Sequence, residues 1–142
     1  MKKYMTQKNE KISSPEEVRP VRPSFREAFS RAARQVELDC CSPSEIDLLR
    51  ELCYIIAEVY ILDPCSHVKI SDEIIDAYLV QEIFGELTLE HLRLVRDNFT
   101  DQTEIIKNKR AYLRAALYNS VFEMEAHYTN LVNRDLRAGG AI

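Results

Sequence analysis

The stretch that decides the fold is KNKRAYLRAALYNS, residues Lys107 to Ser120. Asn108 is a good N-cap, and the residues after it favour helix. Apolar side chains cover nearly the whole of the predicted cylinder, and the alanines among them allow neighbouring helices to approach closely. A helix that is apolar over so wide an arc lies in the middle of a bundle. We therefore predict an all-α fold with this helix in its core.

The start of this helix carries unusual charge. Lys107, Lys109 and Arg110 crowd the end at which the helix dipole is positive, which costs a few tenths to about 1 kcal/mol per exposed charge. Four residues about one turn apart form the polar strip of the helix: Lys107, Arg110, Arg114 and Tyr118. Lys109 lies beside this strip. These five residues are our candidate surface for binding an acidic partner or nucleic-acid phosphates.

A structural interpretation of the same cations remains equally open. Asp101 and Glu104 in the preceding polar loop, or the acidic second and third predicted helices, can neutralise them locally. Tyr112 and Tyr118 have the chemistry to stack on bases. Tyr112, however, shares a face with the alanines of the helix, and packing explains it better.

Capping signals mark two helices in the first half of the chain. Ser24 with Glu27, and Ser42 with Glu45, both have the spacing of a capping box. The second of these helices continues with apolar residues at helical spacing for about twenty residues, roughly 30 Å. It ends near Leu62, before an Asp-Pro pair. We predict that it is a central core helix.

Two more helices are predicted between this one and the polar loop. Residues 66–70 have the pattern of a short extended connector. Ser71 then caps a third helix that ends at Gly85, and Thr88 caps a fourth. The third helix is expected to turn five apolar residues inward: Ile74, Ile75, Tyr78, Leu79 and Ile83.

A further capping box divides the C-terminal part of the chain. Ser120 and Glu123 have its spacing, so we predict a break there. A sixth helix would start at about Val121 and end before Gly139. The predicted domain is thus a compact bundle of about five or six helices over residues 24–137.

The two ends of the chain lie outside this bundle. Residues 1–23 are polar, hold three of the five prolines and lack apolar periodicity, so we predict a disordered or extended arm. Residues 138–142 form a short tail. A length of 142 residues is that of one domain, and three glycines are too few for an all-β fold.

Charge is unevenly distributed along the chain, whose formal net charge is −4. Residues 1–37 carry +4, residues 38–106 carry −11 and residues 107–142 carry +3. An acidic middle between basic ends indicates surfaces with different partners, or ends that contact the middle. Chance clustering on a solvated surface is the plain alternative.

No catalytic, cofactor or metal site is predicted. The sequence has no Gly-rich phosphate loop, and its three histidines, His67, His91 and His127, fall on different predicted elements. Its four cysteines suit free thiols in a reducing cytoplasm. No apolar run approaches the roughly 18 residues of a membrane span. We therefore expect a soluble cytoplasmic protein that is not an enzyme.

The C-terminal part of the chain resembles a known family. Asn98 to Leu136 resembles the C-terminal domain of replication initiator protein A, found in Gram-positive plasmids and conjugative elements. The shared motifs are I-K-N-x-x-A-Y-L-x-A-A-L-Y-N at Ile106 to Asn119 and Y-x-x-L-V-N-x-D at Tyr128 to Asp135. Upstream, a short extended piece and two helices have a similar layout, so the resemblance covers roughly residues 45–137.

The resemblance implies both a fold and a role. That domain is similar to the DnaD-like primosomal helical domain, which implies a DnaD-like bundle that contacts host primosome proteins of the primase or helicase-loader type. Weak DNA binding and a self-assembling helical module, hence a homo-oligomer, are the alternatives we keep. The family's initiators carry a winged-helix origin-binding domain upstream, for which these residues have no room. We therefore expect a separate C-terminal module or a short mobile-element protein.

Overall fold

The computed structural model describes residues 22–102 and 104–140, with side chains through Arg134. Most of the predicted arm therefore lies outside the described residues. Within them the chain forms five α-helices, one 3-10 helix and one β-hairpin. In chain order the elements are α1 (Phe25–Gln35), the 3-10 helix (Leu38–Cys40), α2 (Ile46–Tyr60), β1 (His67–Ile70), β2 (Glu73–Asp76), α3 (Ala77–Phe84), α4 (Leu89–Thr100) and α5 (Lys109–Gly140).

Helix α2 is the centre of the fold, as its sequence predicts. It packs against α1, α3, α4 and α5, and its side chains are buried on nearly every side. An α-helix that is apolar over most of its surface is stable in water only when other elements cover it. Its largest fully buried side chains are Leu49, Leu52, Ile55, Ile56 and Val59.

Three of the six capping residues recognised in the sequence, Ser24, Thr88 and Asn108, directly precede the helices that they predict. The helix predicted from Ser42 begins only at Ile46, because residues 43–45 form a turn in which the Glu45 carboxylate accepts from the Ser42 amide but the Ser42 side chain makes no cap. The Ser24 hydroxyl accepts from the Glu27 amide at 3.1 Å, and the Glu27 carboxylate accepts from the Ser24 amide at 2.9 Å, so this capping box is confirmed. The Asn108 side-chain oxygen accepts from the Ala111 amide at 3.0 Å at the start of α5. Such caps satisfy amides that have no partner within the helix, and they depend only on neighbouring residues.

The predicted start of the third helix at Ser71 is wrong. Residues 67–76 form an antiparallel hairpin in which Ile70 pairs with Glu73, and Ser71 occupies its turn with a φ of 57°. The fold is therefore not purely α-helical. The extended connector predicted at residues 66–70 is confirmed as β1, in which Val68 and Ile70 alternate into the core. The error lies in residues 73–76, which pair with β1 as β2 instead of starting the helix.

The later start of α3 also changes which of its faces is buried. Counting from Ala77, the inward positions are Ala77, Val80 and Phe84, a spacing that lies on one side of a helix. Tyr78 and Leu79, which were expected inside, are 49% and 40% exposed. The prediction failed because it assigned helical periodicity to residues that belong to a strand.

Helix α5 is continuous where the sequence predicts a break. Ser120 is buried, and its hydroxyl donates to the Leu117 carbonyl at 2.7 Å, so the hydroxyl is satisfied inside the helix rather than at a cap. The helix continues to Gly140, past its predicted end before Gly139. Leu117 and Val121 flank this serine and hold both sides of the predicted break against the core.

The same helix lies at the edge of the bundle rather than in its middle. Only the face that carries Leu113, Leu117 and Val121 is buried, whereas Tyr112 and Ala115 are half-buried. Its contacts are with α2, α3, α4 and β1. The prediction made from the wide apolar arc of its sequence therefore overestimated how much of this helix is buried.

Two glutamines complete helix ends. The Gln81 amide nitrogen on α3 donates to the Val59 and Leu62 carbonyls at 3.0 and 2.9 Å. The Gln35 amide nitrogen on α1 likewise donates to the Phe84 and Leu87 carbonyls, at and just after the end of α3, at 2.8 and 2.9 Å. Because the last carbonyls of a helix have no internal partner, these side chains tie neighbouring helices together through their ends.

Candidate functional site

The cations at the start of α5 are neutralised in part by α2. The Lys109 ammonium lies 3.1 Å from the Glu51 carboxylate, and the Arg110 guanidinium pairs with the Glu58 carboxylate. Glu51 and Glu58 are two turns apart, so they lie on one face of α2. The hydrogen bond to Glu58 raises the pKa of Arg110. These pairs offset the unfavourable charge at the positive end of the α5 dipole.

The neutralisation comes from the second predicted helix rather than from the preceding loop. Asp101 and Glu104 make no ion pair with any residue that the structure describes. Tertiary packing thus selects one of the possibilities that the sequence left open, because α2 lies against α5 whereas the loop precedes it.

A concave surface, the basic cleft, lies beside the first two turns of α5. It has a volume of about 630 Å³ and lies between β1, the end of α2 and the start of α5. Its walls combine apolar and charged side chains. The polar residues that line it are Glu58, His67, Lys69, Asn108, Arg110 and Arg114.

The regular spacing of two elements brings the cations of the basic cleft together. In β1, Val68 and Ile70 are buried, which leaves His67 and Lys69 on the opposite, exposed face. In α5, Arg114 lies one turn beyond the paired Arg110 and faces the same cleft.

These cations differ in whether a carboxylate pairs with them. The His67 ring lies 3.2 Å from the Asp76 carboxylate on the neighbouring strand. Lys69 and Arg114 form no ion pair with any residue in the described part of the chain. With Arg110 held by Glu58, the positive charge that the cleft presents comes mainly from these two side chains.

The other candidate residues are not among those that line the cleft. Lys107 is exposed before the helix begins. Tyr118 packs against Phe122, with ring centroids 5.3 Å apart. Lys109 faces α2 and the Phe99 ring, whose centroid lies 5.4 Å from its ammonium group. The structure therefore brings two of the five predicted residues, both arginines, into the cleft.

Sequence reasoning missed the contribution of the hairpin. His67 and Lys69 lie about forty residues before α5, and nothing in the local pattern indicates that the two segments meet. The alternation in HVKI was the available signal, since it places both polar residues on one face of a strand.

A second surface, the acidic groove, lies between α4 and α5. It has a volume of about 620 Å³ and combines apolar side chains with a rim of carboxylates. The lining residues are Glu90, Arg93, Leu94, Asp97, Asn98, Glu123, Met124 and His127.

Arg93 is the exception in this groove, because the fold uses its charge. Its guanidinium lies 3.1 Å from the Glu45 carboxylate, whose side chain is only 7% exposed, and 3.2 Å from Glu90. The hydrogen bond from Arg93, assisted by the Ser42 amide, lowers the pKa of Glu45 to about 2. Of the three carboxylates on the rim, Glu90 pairs with Arg93 and Asp97 lies 3.4 Å from the Arg96 guanidinium. Glu123 forms no ion pair with a described residue, so the acidic character of the rim rests mainly on it.

Beyond the acidic groove, the buried face of α5 continues without a cover from any described residue. Tyr128 is 70% exposed, and Leu131 and Val132 are 36% and 37% exposed. We call these three residues the distal apolar face. Helix α5 has 32 residues and α4 has 12, which correspond to about 48 Å and about 18 Å. Helix α5 therefore extends well beyond α4, the helix that it packs against.

The described residues include no group of three or more His, Cys, Asp or Glu side chains placed to hold a metal ion. No helix among them is long and apolar enough to cross a membrane.

Comparison with known proteins identified one family. The model of a family of unknown function, DUF6017, matches residues 35–139, which include both the basic cleft and the acidic groove. No significant match to a curated protein or to a solved structure was found.

Proposed function

The chain belongs to the DUF6017 family, and we propose that it is a non-catalytic replication-initiation module of a plasmid or mobile element. In this proposal it acts in the cytoplasm and recruits a host primosome protein of the primase or helicase-loader type. The proposal rests on the resemblance of Asn98–Leu136 to the C-terminal domain of replication initiator protein A. That segment lies within the family match and includes most of α5.

One structural observation supports recruitment above other roles. The distal apolar face continues the side of α5 that packs on the bundle, yet no described element covers it. A helix face of this kind is a common docking surface for a partner helix or groove. The acidic groove adjoins it on the same helix.

The charged and apolar side chains of the acidic groove indicate which residues a partner should present. Glu90, Asp97 and Glu123 rim the acidic groove, while Leu94 and Met124 supply apolar surface between them. Complementary charge steers association and fixes orientation, while the buried apolar contacts supply most of the affinity. The recruited protein is therefore expected to present an apolar helix or loop flanked by Lys and Arg.

Binding of the purified chain to each host primosome protein tests the proposal. We expect one of them to bind in calorimetry, and charge reversal by Glu123→Lys together with Asp97→Lys to weaken that binding at least tenfold. Glu82→Lys together with Glu86→Lys, which changes charge equally on and just after α3, is the matched control.

Two results would count against recruitment. A folded sample that binds none of the primosome proteins would refute it. A dimer in light scattering that dissociates on Leu131→Asp, without binding to any primosome protein, would show a self-assembling module instead.

A further inference from the structure

We propose that the basic cleft binds the phosphodiester backbone of nucleic acid, with Lys69 and Arg114 as the side chains that contact phosphate. This activity is separate from partner recruitment, which we place at the acidic groove and the distal apolar face. The two surfaces involve different residues, so each can be removed without the other.

Positive charge in the basic cleft is available to a ligand. Lys109 and Arg110 are held by Glu51 and Glu58, and these pairs serve to join α5 to α2. Lys69 and Arg114 line the same concavity without a carboxylate partner among the described residues. Cations that the fold does not neutralise, gathered in one cleft from two elements, are suited to bind an external anion.

The orientation of α5 also favours an anion in the basic cleft. Asn108, the N-cap, lines the basic cleft, so the first turn of the helix opens beside it. The positive end of the helix dipole and the first-turn amides that Asn108 does not cap favour phosphate oxygens. This field adds to the charge of Lys69 and Arg114 at the same place.

The lining of the basic cleft limits which part of a nucleic acid it can recognise. Among its described lining residues there is no Phe, Tyr or Trp on which a base could stack. Phosphate contacts carry no sequence information by themselves. We therefore expect binding that is independent of sequence, weak because the whole chain carries a charge of −4, and strongly dependent on salt.

The test is fluorescence polarisation of the full chain with labelled single-stranded and duplex oligonucleotides, titrated between about 50 and 200 mM salt. We expect binding at the low-salt end that fades at the high-salt end. Lys69→Ala with Arg114→Ala should weaken it at least tenfold and reduce the slope of log affinity against log salt by about 1 per residue.

A matched variant separates the cleft from general charge. Arg26→Ala with Arg34→Ala removes two exposed cations from α1 and should change affinity less than threefold. Equal losses in both double variants, or no binding at about 50 mM salt, would overturn the proposal. Thermal melts of each variant confirm that folding is intact.

Two further measurements complete the test. Inorganic pyrophosphate is the probe for a small phosphate ligand, and complete displacement of the oligonucleotide at equal phosphate concentration would overturn the assignment to nucleic acid. Glu123→Lys with Asp97→Lys should leave oligonucleotide binding at least as strong as before. A loss of both activities in that variant would contradict the separation of the two surfaces.

Discussion

Arg93 on α4 holds the carboxylate of Glu45, at the start of α2, with two hydrogen bonds. Its Nε donates to Oε1 at 3.3 Å, and its Nη2 donates to Oε2 at 3.1 Å. Such a paired geometry is the strongest form of the arginine–carboxylate interaction. It joins the central helix to the wall of the acidic groove, so the stability of the core and the shape of the groove are linked.

Acid should weaken the fold through Glu45. Its pKa falls from an ordinary 4.5 to about 2 in the folded chain, so the folded state binds fewer protons than the unfolded state in this range. Stability is therefore present above about pH 4.5 and is lost progressively as the pH falls towards about 2. Thermal melts by circular dichroism across this range measure the loss.

Substitution of Glu45 should remove part of that acid sensitivity. Glu45→Gln is expected to lower the melting temperature at pH 7 and to flatten its decline in acid, because the ionised partner of Arg93 is gone. Glu90→Gln, at an exposed carboxylate that pairs with the same guanidinium, should have the smaller effect. Parallel pH profiles for Glu45→Gln and the unmodified chain would contradict this prediction.

Gln81 should contribute to stability out of proportion to its size. Its amide group serves the Val59 and Leu62 carbonyls at the end of α2, and Gln81→Ala leaves both without that donor. The expected cost is about 1–3 kcal/mol in the free energy of unfolding measured with urea. Gln102→Ala, at an exposed position, is the control, and an equal cost at both positions would count against the capping role.

Two leucines on α5 offer a direct comparison of core and surface. Leu117 is fully buried and Leu131 is 36% exposed. Leu117→Ala should cost about 2–5 kcal/mol in urea denaturation because it leaves a cavity. Leu131→Ala should cost less than about 1 kcal/mol, while weakening the binding of the recruited partner. A large loss of stability from Leu131→Ala would show that the distal apolar face is covered within the chain itself.

Cysteine reactivity should report the burial of α2. Cys40 and Cys65 are exposed, whereas Cys53 is buried and burial raises the pKa of its thiol to about 12. A thiol without its thiolate form is a poor nucleophile. In a timed thiol-labelling experiment read by mass spectrometry, Cys40 and Cys65 should react in the native protein and Cys53 only after unfolding. Labelling of Cys53 as fast as Cys65 would contradict this packing.

Local chemistry explains which expectations succeeded. Ser24 and Asn108 cap helices through hydrogen bonds to amides three residues away, so each cap could be recognised from the adjacent sequence. Ser120 with Glu123 has the same spacing but does not cap, because its hydroxyl bonds within the helix and its neighbours pack on the core. A serine in this pattern can either cap a helix or bond to a carbonyl within one, and the packing of its neighbours decides which occurs.

The sequence by itself determined the dominance of helix, the central place of α2 and the cationic start of α5. These follow from residue preferences, capping and apolar periodicity within single segments. Only the tertiary structure decided the hairpin, the continuity of α5 and the pairing of Lys109 and Arg110 with α2. It also decided that Lys69 and Arg114 line one cleft, because contact between segments so distant in the chain depends on how the helices pack and not on the preferences of either segment.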